Sequence, residues 1–163
     1  MNVPLRILIC LVGSASCASS GAVRGAGGNV TKWSGSFRPP ALASNAVLAP
    51  ATPNRGMGTI TLTSLGGTPA QTRIDLSVNV TTESSSQVAW AVFAGACGAP
   101  GPIVAGQNEF PTISVSSNGD GHVRTDVTFT LDPKGAYHAN VYWTARVNDM
   151  NDIMMCANLQ PGR

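Results

Sequence analysis

Charged side chains are scarce in this chain: Asp, Glu, Lys and Arg make up 11% of its 163 residues, against about 25% in an ordinary soluble domain. So thin a charge excludes a coiled coil, a charged disordered chain and a strongly nucleic-acid-seeking surface. Histidine is scarcer still. Only His122 and His138 are present, which limits the metal and acid–base chemistry the chain can host. No apolar run approaches the roughly 18 residues of a membrane-spanning helix, and no segment carries the 3.6-residue apolar stripe of an amphipathic helix. Cys-x-x-Cys, His-x-His and Gly-x-Ser-x-Gly patterns are all missing. With them go the spacings that mark a thiol-based metal site, a paired-imidazole site and a serine-hydrolase elbow.

What is present begins with an export signal. Arg6, the apolar run Ile7 to Gly13 and the small residues Ser14-Ala15-Ser16-Cys17 read as a secretory leader over 1–17. Two processing routes stay open: lipidation of Cys17, which would anchor the mature chain at a membrane surface, or ordinary cleavage near the same point. Ser14 stands where a lipoprotein signal usually has Leu. A Ser, Gly and Ala tether over 18–29 follows, too polar and too small to bury a core, and the folded domain is expected over 30–163. The expected location is therefore exported: a periplasmic or outer-membrane lipoprotein, alternatively a secreted protein, with no transmembrane span.

The four cysteines sort by position. Cys10 lies in the leader and Cys17 at its end, which leaves Cys97 and Cys156 in the body of the chain. Two cysteines in an oxidising compartment most simply pair. Charge is also uneven. Arg24, Lys32, Arg38 and Arg55 occupy the stretch from Cys17 to Arg55 with no acid among them, whereas from Gly56 onward five basic residues stand against eight acidic ones. A basic stretch next to an anchor would add a weak attraction to anionic lipid.

From Val30 the pattern is one of short strands. Val30 to Phe37, Gly58 to Leu65 and Arg73 to Thr81 alternate, the last with Ile74, Leu76, Val78 and Val80 on one side and Arg73, Asp75, Ser77 and Asn79 on the other. Such period-2 alternation predicts half-buried antiparallel strands. Gln87 to Ala94 is apolar on both faces and reads as one central strand, followed by a Gly/Pro loop that carries Cys97. Thr112 to Ser116, the run Val123, Thr125, Val127, Phe129 and Leu131, Ala136 to Thr144, and Ile153 to Leu159 complete the set. In Ala136 to Thr144 the period puts Tyr137, Ala139, Val141 and Trp143 inward, with His138, Asn140 and Tyr142 opposite. About eight strands with Gly, Pro and Asn turns predict an all-β antiparallel Greek-key sandwich or barrel with one disulfide.

Trp90-Ala91-Val92-Phe93-Ala94-Gly95-Ala96-Cys97-Gly98, Gly101-Pro102-Ile103-Val104, the strand with Tyr137, Asn140 and Val141, and Cys156 together resemble small exported bacterial proteins of the copper,zinc superoxide dismutase-like sandwich fold. Trp33-Ser34-Gly35-Ser36-Phe37, Pro39-Pro40 and Gly58 to Leu62 also resemble the start of CHRD-type domains, another exported β-sandwich group. The resemblance implies that Cys97 in the long loop bonds Cys156 in the last strand. It also implies where metal ligands would stand, and the chain departs from it there. The paired imidazoles would fall at Ala91 and Phe93, a further ligand at about Tyr142, and the guiding Arg at Ile153. Copper or zinc needs several converging imidazole or carboxylate ligands, so the expectation is no metal, no cofactor and no catalytic residue, with the old pocket filled by apolar and aromatic groups.

Lesser constellations read as structure. His122 follows the Asn118-Gly119-Asp120-Gly121 turn and is expected in solvent, and His138 is expected at the surface or in a structural hydrogen bond. Asp149 and Asp152 sit in an acid–amide segment without the spacing of a calcium loop and read as a solvated turn. The expected role is a non-catalytic envelope protein with a binding or structural task and an unknown partner that is not nucleic acid. A dismutase-like protein with a rearranged metal site is the alternative, and a cell-surface adhesion module a third.

Overall fold

The computed structural model describes residues 32–39, 56–80, 86–145, 147 and 152–162. The leader and tether, including Cys10 and Cys17, lie outside the described residues, as do Val30, Thr31, 40–55 and Asp149. Nine strands follow in chain order: β1 (Lys32–Phe37), β2 (Gly56–Gly66), β3 (Gln71–Val80), β4 (Ser86–Val88), β5 (Trp90–Ala94), β6 (Ile113–Val115), β7 (Asp120–Val127), β8 (Tyr137–Tyr142) and β9 (Ile153–Pro161). A single turn of 3-10 helix lies at Gln107–Glu109. Every strand pairing is antiparallel.

The strands hydrogen-bond in the order β4-β6-β7-β3-β2-β1-β9-β8-β5. Its two ends, β4 and β5, are separated in the chain by Ala89 alone, so the sheet curls round until it nearly closes. Here the expectation of one strand from Gln87 to Ala94 is corrected, and the count rises from about eight to nine. At Ala89 the chain leaves β6 and joins β8: the Ala89 N–H donates to the Thr144 carbonyl at 2.7 Å and the Tyr142 N–H to the Ala89 carbonyl at 2.9 Å. Near closure of this kind leaves few unpaired strand edges to invite association.

Inside lies one main apolar core. β3 delivers Thr72, Ile74, Leu76, Val78 and Val80 to it, all buried, as its alternation predicts. Trp33, Leu62, Trp90, Val92, Val127, Ala139, Val141, Ala157 and Leu159 join from other strands. Leu131, beyond the end of β7, is also buried, and near it Tyr137 accepts the Asp132 N–H at 2.9 Å. Trp33 meets the Tyr137 ring edge-on at 5.2 Å, a favoured aromatic geometry.

The outer side of β3 and β7 is a lattice of paired polar groups. Arg73 holds Asp126 through two hydrogen bonds of 2.8 Å, and Asn79 donates to Asp120 at 2.7 Å. The Arg73 hydrogen bond draws the Asp126 carboxyl below its ordinary range. His122 stands in solvent with a ring nitrogen 3.1 Å from Asp75, where its turn predicts it. That turn needs glycine: Gly119 has φ +86°, and a Cβ there would run into the Val80 carbonyl.

One core expectation fails. Trp143 is 44% exposed, because β8 ends at Tyr142 and the alternation does not carry one residue past it. A register shift between Val141 and Tyr142 marks where the strand leaves regular pairing, and the Trp143 N–H turns to the Asp152 carbonyl at 3.0 Å.

Candidate functional site

The residues singled out from the sequence meet on the outer face of β5, β8 and β9. Register places Phe93 opposite His138 and His138 opposite Asn158; the next row is Ala91, Asn140 and Cys156; Tyr142 then stands opposite Ile153. Alternation makes this the face away from the main core, yet all six residues of β8 are buried. The reason is a cover. The Gly95 to Ala105 loop folds back over the face, and the disulfide between Cys97 and Cys156, Cα atoms 5.9 Å apart, ties it to β9. The Cys97 N–H adds a hydrogen bond of 2.7 Å to the Asn158 side-chain oxygen.

The loop also seals the outer edge of β5. The Ala94 N–H donates to the Pro102 carbonyl at 3.0 Å and the Val104 N–H to the Val92 carbonyl at 3.1 Å, with Phe93 and Ile103 as bridge partners. Gly101 permits this return, since any Cβ there would collide with the Ala94 carbonyl.

Under the cover, Tyr142, Ile153, Cys156 and Ala89 form a small apolar cluster with Phe93, Cys97 and Val147 packed against it. Ala91 is fully buried. The structure thus brings Phe93, Tyr142 and Ile153 together, whereas Ala91 belongs to the main core. Of the two places expected for His138, the surface or a structural hydrogen bond, the structure shows the second: the residue is 2% exposed. Its ring stacks on Phe93 with centroids 5.4 Å apart. Burial pushes its titration below the ordinary histidine range, and a hydrogen bond with the Gly95 backbone acts in the opposite direction. Its Nδ1 and the Asn140 Oδ1 find no hydrogen-bond partner among the described residues. Burial raises the Tyr142 hydroxyl, against a hydrogen bond with Asn140. The missed signal was compositional: polar His138 and Asn140 alternate along a strand whose neighbours are otherwise apolar.

As chemistry the face is sparse. It offers one imidazole, one phenol and two amides, with both sulfurs committed to the disulfide. Among the described residues no three His, Cys, Asp or Glu side chains come together as a metal-holding group. Elsewhere, a cleft of about 410 Å³ opens beside Ala89 and is lined by Gln107, Asn108, Thr112, Phe110, Ala145 and Val147. None of these can act as a general acid or base.

The fold and site define a class: an all-β, antiparallel, nearly closed domain cross-linked by one disulfide. No protein-family model, curated protein or solved structure matches the chain. Among the described residues no helix is long and apolar enough to cross a membrane.

Proposed function

We propose that this is an exported envelope protein with a binding or structural role and no catalysis, a superoxide dismutase-like Greek-key sandwich in which packed side chains stand where metal ligands would. One observation carries the reading. Phe93, Tyr142 and Ile153 pack together with the Cys97–Cys156 disulfide, Ala91 is fully buried in the main core, and only one imidazole shares their face. The strand order supports the Greek-key form: β3 and β4 are consecutive in the chain, but β7 and β6 stand between them in the sheet. Export rests on the leader over 1–17, and attachment to a membrane surface on lipidation of Cys17.

A second reading, a dismutase-like protein with a rearranged metal site, draws on His138, whose buried Nδ1 has no hydrogen-bond partner among the described residues. One assay separates the two. Purified protein supplied with copper and zinc is expected to dismutate superoxide no faster than the free metals do; activity above that level, lost on replacing His138 by Gln, would favour the second reading.

A further inference from the structure

Among the described residues, His138 is an imidazole enclosed without a charged companion. β5 (Trp90–Ala94) has no ionisable side chain, and neither does β9 (Ile153–Pro161) apart from its disulfide-bonded Cys156; the covering loop from Gly95 to Ala105 has only disulfide-bonded Cys97. On its own strand the neighbours along the face are Asn140 and Tyr142, both uncharged. The charged residues nearest in the chain pairing, Arg38 bridged to Cys156 and Asp152 ahead of β9, are not among the influences on its titration, which are burial and the Gly95 hydrogen bond. A proton placed on His138 therefore creates a buried cation with nothing among the described residues to neutralise it.

The cheapest relief is to lift the cover, and its two limbs are not equally fixed. The outgoing limb is held by the disulfide, by the Cys97 bond to Asn158 and by the Gly95 N–H to the Ala136 carbonyl at 2.8 Å. The returning limb, Pro102 to Val104, carries no cross-link: it rests on β5 through two backbone hydrogen bonds, with Ile103 and Val104 partly buried against the main core. Ile103, Phe93, His138 and Asn158 form one row across the sheet, so this limb ends the row in which the imidazole sits.

We propose that the loop is a pH-sensitive latch: when His138 takes a proton from solvent, Pro102 to Val104 lifts off β5 while Cys97 stays tied to Cys156, letting water reach the ring and baring the β5 edge. The sign follows from linkage. The closed state holds His138 neutral and binds fewer protons than the open one, so closure is complete above the ordinary histidine value and weakens as pH falls through it. One proton allows at most about a tenfold change per pH unit.

Hydrogen exchange of the disulfide-intact protein from about pH 7.5 to about pH 5, corrected for intrinsic rates, tests this. The Ala94 and Val104 amides are expected to lose protection toward acid by up to about tenfold per unit, while amides between β2 and β3 keep theirs. His138→Gln is expected to make Ala94 and Val104 protection independent of pH. Should that variant not fold, the midpoint of the His138 ring titration, followed by NMR, must match the pH at which Val104 loses protection. Protection that is constant with pH in the unmodified protein, that falls equally in the variant, or that falls in step with β2 and β3 overturns the latch.

Discussion

Replacing Cys97 and Cys156 together by Ala lowers the stability of the domain by about 4 kcal/mol, the loop-closure entropy returned to the unfolded chain when a cross-link of this span is removed. The cysteines are 59 residues apart in sequence, and the bond joins the covering loop to the last strand. Urea unfolding of the variant beside the oxidised parent measures the difference, and the reduced parent should fall with the variant. Loss is also expected to be uneven. The loop that seals the β5 edge loses its one covalent tie, so the amides of Ala94 and Val104 lose protection before those of β3. A difference under about 1 kcal/mol would contradict the loop-closure account.

Trp90→Ala is expected to cost about 3 to 5 kcal/mol, the range for truncating a buried aromatic in a core that cannot collapse to fill the space. Trp90 is fully buried, meets Phe110 edge-on at 5.1 Å and donates its indole N–H to the Pro111 carbonyl at 2.7 Å. It begins the strand that follows the crossing at Ala89, so it pins the point where the sheet turns back on itself. Trp90→Phe keeps most of the volume but not the donor, and should cost less than the Ala variant. Equal losses would put the energy in the hydrogen bond instead of the packing. Urea midpoints of the three proteins decide it.

The strands were legible because alternation reports the sheet directly. Ile74, Leu76, Val78 and Val80 sit inside and Arg73, Asp75, Ser77 and Asn79 outside, as written in the sequence. Pairing of Cys97 with Cys156 was legible by elimination. The break at Ala89 was not, since an apolar run such as Gln87 to Ala94 carries no mark of where it changes partners. Nor was the exposure of Trp143, which depends on β8 stopping one residue earlier. The depth of burial of His138, as against its hydrogen bond, was not legible either. Period-2 patterning separates two faces but cannot say that the second will be roofed by a loop more than thirty residues earlier in the chain. That roof converts an apparent surface histidine into a buried one.

On the reading proposed above, the face that holds Phe93, Tyr142 and Ile153 is a packed structural surface and not a metal centre. Metal analysis of the protein, purified from cells grown with added copper and zinc and without chelator, tests it most directly. Copper and zinc far below one ion per chain are the expected result; near-stoichiometric copper or zinc that is lost in His138→Gln would contradict it.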